Sequence, residues 1–317
     1  MILELFFLIA GIFFLVKGAD LLIEGASSLA RKLGVSELIV GLTIVSLGTS
    51  LPELMVNIFA AFEGSSDLAF GNVIGSNLAN TLLVLGVGAI IYSISVKQDT
   101  VFKEIPFNIL AVVALATLAN DAYIDHITPS QLSRIDGIML LLFFGIFVYY
   151  LFEIARSSRV PSLDGVSATF TKLLTQIGIG AIGLFIGGEW VVDGAIYVAK
   201  TLGVSEFLIS ATIVAFGTSL PELVTTIVSA MKKNVDILVG NIIGSNILNI
   251  FLILGLTAVI KPVLLPAQIT FDILFLLVST FLFFFLLLGK GARLRRKHGI
   301  IFVLSYLFYV GFIVMRG

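Results

Sequence analysis

The chain has 317 residues, of which 58% are hydrophobic and only 12% are charged, and its formal net charge is −1. Soluble proteins carry about 25% charged residues, so this composition, with a mean hydropathy of +1.13, predicts a membrane protein. The small net charge argues against a nucleic-acid partner, and the lack of cysteine excludes disulfides, thiolate metal sites and cysteine nucleophiles.

Long apolar runs mark the predicted membrane spans, because one helical crossing needs ~20 apolar residues. Ten runs predict an all-α membrane protein with ten transmembrane helices. The runs cover approximately residues 2–30, 37–62, 68–93, 104–120, 135–153, 172–200, 206–230, 236–260, 267–289 and 299–315. The first run lacks a basic n-region and an A-x-A-like cleavage site, so we expect a mature helix there and not a signal peptide.

The distribution of Lys and Arg predicts the orientation, because cytoplasmic loops are enriched in these residues. Loops on one side of the ten-span arrangement carry fourteen Lys and Arg residues, whereas the other side carries four. The richer side includes segment 156–171. We therefore expect a cytoplasmic linker at 156–171 and both termini outside, in a multi-pass protein of the cell (inner) membrane.

An internal repeat divides the chain. The hexapeptide GTSLPE occurs at 48–53 and again at 217–222, an offset of 169 positions that also aligns 71–86 on 240–255. The matches include Gly, Pro, Glu, Asn and Ser, which chance similarity between apolar helices does not produce. We predict five helices in 1–155 and five in 172–317. Because five is odd, the second repeat is inverted in the membrane, an arrangement typical of secondary transporters.

Each hexapeptide places a proline, hydroxyls and a glutamate inside an apolar run. Proline removes a helical hydrogen bond, and non-helical backbone at this depth must be buried or line a cavity. We expect released carbonyls from Ser46 to Gly48 and from Ala215 to Gly217. The side chains that add oxygen atoms beside these breaks are Thr49, Ser50 and Glu53 in one copy and Thr218, Ser219 and Glu222 in the other.

The spans that follow carry polar side chains at every fourth residue: Asn72, Ser76 and Asn80, and then Asn241, Ser245 and Asn249. Packed against the hexapeptides, they predict a cluster of oxygen ligands. Such ligands favour hard cations, and two carboxylates can balance one Ca²⁺ or nearly balance several Na⁺. Helix–helix hydrogen bonding explains Asn72 and Asn241 equally well.

Spans 1 and 6 also carry acidic residues in matching positions, Asp20 with Glu189 and Glu24 with Asp193. We expect these four to stabilise helix ends or the cytoplasmic surface, with Lys17 pairing with Asp20 one turn along the helix.

The motifs GTSLPE, GNVIGSN and GNIIGSN, in two halves, resemble the repeats of the cation/calcium exchanger superfamily over nearly the whole chain. The resemblance implies an alpha-1 motif at 41–86, an alpha-2 motif at 210–255, and exchange of Na⁺ for Ca²⁺ as in prokaryotic sodium/calcium exchangers. The ion ligands it implies are carbonyls near Ser46 and Ala215 and the side chains of Thr49, Ser50, Glu53, Ser76, Asn80, Thr218, Ser219, Glu222, Ser245 and Asn249.

Two branches of that superfamily remain as alternatives, Ca²⁺/H⁺ exchangers and K⁺-dependent Na⁺/Ca²⁺ exchangers. The first usually carries a glutamate in a GN-x-x-E pattern, which is lacking after Asn72 and Asn241, and the second carries Asp at the place of Asn249. No nucleophile–base pair or zinc triad is visible, so we expect an antiporter and not an enzyme. We expect its partners to be the transported ions and membrane lipid, with no cofactor and no obligate protein partner.

Overall fold

The computed structural model describes residues 2–120, 129–157, 168–203, 215–266, 269–289 and 291–316. Within these ranges the protein is helical apart from short strands, which confirms the all-α prediction. Eight helices are long and apolar enough to cross a membrane, and a pair bent by 51° raises the count to nine. The predicted span 206–230 begins outside the described residues, and most of the predicted linker 156–171 lies outside them. The count of ten therefore stays a prediction.

The described part of the first half contains nine helices. They are α1 (Ile2–Leu33), α2 (Glu37–Val40), α3 (Ser46–Thr49), α4 (Leu51–Glu63), α5 (Ser66–Leu78), α6 (Leu85–Ile91), α7 (Gln98–Phe102), α8 (Glu104–Leu118) and α9 (Arg134–Ser157). Two π-helical segments join them without a break, Gly41–Val45 between α2 and α3 and Ala79–Val84 between α5 and α6.

The described part of the second half follows the same order. Its helices are α10 (Phe170–Thr201), α11 (Ala215–Gly217), α12 (Leu220–Met231), α13 (Val235–Ile247), α14 (Gly255–Ile260), α15 (Ile269–Leu287) and α16 (Arg296–Arg316). A π-helical segment, Leu248–Leu254, joins α13 to α14. The four strands are β1 (Ile94–Ser95), β2 (Gln131–Leu132), β3 (Val263–Leu264) and β4 (Arg293–Leu294).

The strands connect the two halves reciprocally. β1 of the first half pairs antiparallel with β4 of the second, and β3 of the second half pairs antiparallel with β2 of the first. The helices beside the strands follow the same exchange, because α16 packs on α6 and α9 packs on α14. Each half therefore completes the core of the other.

The two longest helices, α1 and α10, pack along each other through glycines. A Cβ atom placed on Gly18 would lie 2.7 Å from the Gly180 carbonyl oxygen, and one placed on Gly187 would lie 2.8 Å from the Gly11 carbonyl oxygen. Small residues allow such close helix contacts in lipid. Each helix has 32 residues, about 48 Å at ~1.5 Å per residue, so both must tilt to fit a ~30 Å hydrocarbon layer.

Candidate ion-binding site

Two helix breaks place the glutamates of the repeat. Ser50 ends α3 and precedes α4 with φ −87° and ψ 12°, and Ser219 precedes α12 with φ −86° and ψ 4°. Proline follows two residues later in both copies, where its missing N–H costs no helical bond. Glu53 and Glu222 therefore lie in the first turns of α4 and α12, where the helix dipole favours a carboxylate.

The Glu222 carboxylate is fully buried and receives one hydrogen bond from each half of the chain. Ser50 donates to Glu222 Oε1 over 3.0 Å, and Ser245 donates to the same oxygen over 3.3 Å. Within the described residues Oε2 has no partner. Thr49 lies beside these groups, and its hydroxyl is 3.0 Å from Asn241 Oδ1. We call the surroundings of Glu222 and the corresponding surroundings of Glu53 the two corners of the candidate site.

The Glu53 carboxylate is equally buried but has no hydrogen-bond partner among the described residues, on either oxygen. The hydroxyls of Ser76 and Thr218 face it. They lie 3.3 Å from each other, and Thr218 donates to Asn72 Oδ1 over 3.2 Å. The two glutamates are close enough to repel each other electrostatically. A cation among these oxygens would relieve both the repulsion and the unmet hydrogen bonding.

Asn80 and Asn249 are fully buried, and none of their amide atoms has a hydrogen-bond partner within the described ranges. Both lie in π-helical segments, Ala79–Val84 and Leu248–Leu254. Such segments are frequent at functional sites because they displace backbone and side chains from regular helical positions. The sequence analysis selected both asparagines but did not predict the π-helical turns.

The backbone carbonyls beside the two breaks differ in their hydrogen bonding. In the second half the Ser219 N–H donates to Phe216 over 3.1 Å, three residues back, and so does not make the regular helical bond to the Ala215 carbonyl. In the first half the Ser46 carbonyl is hydrogen-bonded in this conformation, and its role as an ion ligand stays a prediction. This carbonyl accepts the Ser50 N–H over 2.9 Å and lies 3.2 Å from the Thr49 hydroxyl, because α3 keeps its regular helical bond at that position.

Asn72 and Asn241 connect helices. The Asn72 amide donates to the Glu53 carbonyl over 3.1 Å and to Asn57 Oδ1 over 2.5 Å, which fixes α5 beside α4. Asn57 was missed by the sequence analysis. Its position four residues after Glu53, on the same face of the helix, is the signal that identifies it.

The acidic residues of α1 lie outside this cluster, on the surface. Lys232 bonds Asp20 Oδ1 and Glu24 Oε1, each over 2.9 Å, and Lys17 lies 3.9 Å from Asp20. These contacts agree with a role at a helix end. Across the described residues no ion pair of Glu189 or Asp193 on α10 is found, and no cluster of three His, Cys, Asp or Glu residues suited to a metal occurs.

The chain has clear relatives among known proteins. The sequence model of the family "Sodium/calcium exchanger protein" matches residues 3–153 and 172–315. The Escherichia coli (strain K12) inner membrane protein YrbG is 35% identical over 272 residues, which is 83% of this chain and 81% of the relative. The sodium/calcium exchanger MaX1 of Methanosarcina acetivorans is 30% identical over 91% of both chains. A structure of the sodium-calcium exchanger NCX_Mj soaked with Na⁺ and Sr²⁺ superposes with a TM-score of 0.84, at 32% identity over 98% of both chains.

Proposed function

Since the chain belongs to the sodium/calcium exchanger protein family, we propose that it is an antiporter that exchanges Na⁺ for Ca²⁺ across the membrane by alternating access. One observation carries the proposal to specific residues. Glu53 and Glu222 are fully buried at the starts of two helices, and the atoms around them include oxygens without hydrogen-bond partners among the described residues. Buried carboxylates inside a membrane are functional unless they are neutralised by a partner.

The ligands we propose all offer oxygen. They are the carboxylates of Glu53 and Glu222, the side-chain oxygens of Thr49, Ser50, Ser76, Asn80, Thr218, Ser219, Ser245 and Asn249, and the carbonyls near Ser46 and Ala215. This chemistry suits Ca²⁺ and Na⁺, whereas Mg²⁺ gives up its water reluctantly. Since both ions would use overlapping oxygens, each displaces the other. Without its cations the site would bury two charges, which opposes movement of the unloaded protein and so couples the two fluxes.

We further propose that 1–155 and 172–317 form two inverted repeats of five spans joined by a cytoplasmic linker at 156–171, with both termini outside the inner membrane. The reciprocal strand pairs and the match of the family model to two separate segments support the repeats. The orientation is supported by the distribution of Lys and Arg. Single cysteines test it, because the chain has none of its own. Ser157→Cys should react only from the cytoplasm and Ser65→Cys only from outside, and labelling of both from one side would refute the inversion.

The two openings that lead to the candidate site, which we call its mouths, lie beside the α4–α5 turn and the α12–α13 turn. Residues near the two mouths differ in their exposure, as alternating access would require. On the side of the α4–α5 turn, Gly71 of α5 is exposed, whereas its counterpart Gly240 is buried. Thr218, which bonds Asn72 of α5, is half-buried, whereas its counterpart Thr49 is buried. The long helices show the same difference, because α1 packs on α12 but α10 makes no comparable contact with α4. We therefore assign this conformation as open towards the α4–α5 turn, which is the outer side in the proposed orientation.

Flux into proteoliposomes tests the proposed function. Vesicles loaded with Na⁺ should accumulate ⁴⁵Ca²⁺ when diluted into choline, without K⁺ and with the pH gradient collapsed by a protonophore. Uptake that requires a pH gradient, and not a Na⁺ gradient, would identify a Ca²⁺/H⁺ exchanger. Uptake that stops without K⁺ would identify a K⁺-dependent exchanger, and uptake without any counter-ion gradient would identify a channel.

A further inference from the structure

An ion-pair cluster joins α1 to the turn between α12 and α13. The Lys232 ammonium bonds the carboxylates of Asp20 and Glu24, which lie one turn apart on α1, over 2.9 Å each. Asn234 adds a bond of 3.0 Å to the Ser27 hydroxyl on the same helix. The side chains of Lys232 and Asp20 are about one-third exposed, at 32% and 31%. Charged side chains at the protein surface are costly in lipid, so we place the cluster at the aqueous boundary of the membrane.

The cluster keeps Lys232 charged. Partial burial by itself lowers the pKa of this ammonium, but the hydrogen bonds and charges of Asp20 and Glu24 outweigh the burial and raise the pKa above its usual value. Lys232 therefore carries its charge at neutral pH.

Among the described residues the opposite mouth lacks such a cluster, although the repeat supplies its acidic half. At the offset of 169 positions, Glu189 corresponds to Asp20 and Asp193 to Glu24, but Glu63 stands where the other half has Lys232. The opposite mouth therefore has three acidic residues at the positions where this mouth has two acidic residues and one lysine. This matches the packing, since α1 contacts α12 and α10 has no comparable contact with α4.

Behind the cluster, α12 carries a stripe of buried hydroxyls, which we name the hydroxyl stripe: Thr225, Thr226 and Ser229. All three are fully buried, and their oxygens have no hydrogen-bond partner within the described ranges. They occupy the three to four residue spacing that leads from Glu222 to Lys232 along one side of the helix. At the corresponding positions of α4 the chain has Val56, Asn57 and Ala60, so the stripe belongs to this mouth alone.

We propose that Lys232, Asp20 and Glu24 form an ionic latch that closes the mouth at the α12–α13 turn, and that the hydroxyl stripe becomes the wet route from Glu222 to that side when the latch breaks. Buried hydroxyls without partners are costly, and water entering the opened mouth would satisfy them. Because the other mouth has no latch, the ion pairs shift the resting equilibrium towards the conformation seen here. The inference rests on the alternating-access function proposed above.

Reporter cysteines read the position of the equilibrium without any transport measurement. Ser229→Cys reports on the latched mouth and Gly71→Cys on the open one, where no described atom lies within 4 Å of an added Cβ. Each is combined with Lys232→Met and labelled in sealed vesicles by a membrane-impermeant maleimide from its own side. Lys233→Met is the matched control, because it removes the same charge from the same turn and has no ion pair among the described residues.

Loss of the latch should raise the labelling rate of Ser229→Cys about fivefold and lower that of Gly71→Cys, because exposed ion pairs contribute up to ~1 kcal/mol. Lys233→Met should change neither rate. Unchanged rates, or rates that rise at both reporters, overturn the latch. If Lys232→Met fails to fold, Asp20→Asn is read in its place with the same expected signs.

A latch installed at the other mouth gives the opposite sign. Glu63→Lys would face Glu189 and Asp193 when that mouth closes, so labelling of Gly71→Cys should fall with Lys232 intact. Unaltered labelling in this variant contradicts the proposal. Since labelling requires neither Na⁺ nor Ca²⁺ flux, a functioning latch in a protein that fails the flux assay would refute the proposed function and leave the latch standing.

Discussion

Two copies of one hexapeptide have different surroundings in this protein. Glu222 accepts hydrogen bonds from Ser50 and Ser245, whereas Glu53 accepts none from the described residues. Ser219, the counterpart of Ser50, likewise has a hydroxyl without a partner there. The repeat therefore supplies equal sets of proposed ligands, and the conformation decides which corner is assembled.

The difference extends into the backbone and the helix packing. The Ser50 N–H bonds four residues back, to Ser46, but the Ser219 N–H bonds three residues back, to Phe216. On the assembled side, a Cβ atom on Gly240 would lie 2.6 Å from the Leu38 carbonyl oxygen. On the other side, Gly71 is exposed and no described atom lies within 4 Å of a Cβ placed on it; the counterpart of α2 lies outside the described residues. Close packing of α2 and the following π-helical segment on α13 thus accompanies the assembled corner.

The largest effect should come from removing either charge, since the proposed function needs both corners. Glu53→Gln and Glu222→Gln should each lower Na⁺-driven ⁴⁵Ca²⁺ uptake by about a hundredfold or more. Each removes a carboxylate that would pair with the buried Ca²⁺, and breaking a buried pair of opposite charges costs ~3–5 kcal/mol. Asp67→Asn is the matched control, an exposed carboxylate in the first turn of α5. Near-normal uptake in a folded Gln variant, judged by its gel-filtration profile, would show that its glutamate is not part of the site.

The packing difference should appear as a difference in stability. Gly240→Ala should lower the free energy of unfolding by about 3 kcal/mol, because the new Cβ meets backbone atoms that cannot move aside. Gly71→Ala should leave stability unchanged or slightly higher, because Gly71 is exposed, no described atom lies within 4 Å of the new Cβ, and alanine favours helix. Thermal unfolding in detergent measures both. Equal losses in the two variants would mean that α5 and α13 are packed alike in solution.

The hydroxyls should differ by a smaller amount. Ser50→Ala should lower the free energy of unfolding by about 1.5 kcal/mol. It removes one of two hydrogen-bond donors to the Glu222 carboxylate, while Ser245 remains. Ser219→Ala should be close to neutral, because its hydroxyl makes no hydrogen bond to the described residues. Thermal unfolding in buffer free of Na⁺ and Ca²⁺ makes the comparison. A larger loss for Ser219→Ala would reverse the assignment of the assembled corner.

The smallest effect concerns the two amides, which add oxygen but no charge. Wild-type flux should not change when K⁺ is replaced by choline, because Glu53 and Glu222 balance Ca²⁺ without a further cation. Asn249→Asp buries an additional charge and should make flux sensitive to K⁺ or to pH. Asn80→Asp is its counterpart in the other half. A wild-type flux that falls without K⁺ would show that the two-carboxylate site is incomplete.

Much of this candidate site can be predicted from the repeat. Pro, Glu, Asn and Ser are energetically unfavourable inside apolar runs, and here they recur at matching positions in both halves. The offset of 169 positions identifies Glu53 with Glu222 and Asn80 with Asn249 without any coordinates. The all-helical fold follows from hydropathy alone.

What escaped prediction depends on tertiary contacts. The π-helical turns at Asn80 and Asn249 have no residue signature, and the retained Ser46 carbonyl bond depends on which neighbour α3 meets. Identical hexapeptides cannot reveal that one corner is assembled and the other open, because the difference is one of conformation. The contact of Lys232 with α1 could not be predicted either, because no local sequence pattern specifies where α1 lies.

Equilibrium binding of Ca²⁺ to the purified protein tests the central claim most directly, since it requires neither reconstitution nor a completed cycle. Wild-type protein should bind ⁴⁵Ca²⁺ saturably, and Na⁺ should displace it, because both cations use the oxygens around Glu53 and Glu222. Either single Gln variant should lose this binding while Asp67→Asn retains it. Wild-type affinity in a folded Glu53→Gln or Glu222→Gln protein, or Ca²⁺ binding that Na⁺ does not displace, would contradict the account.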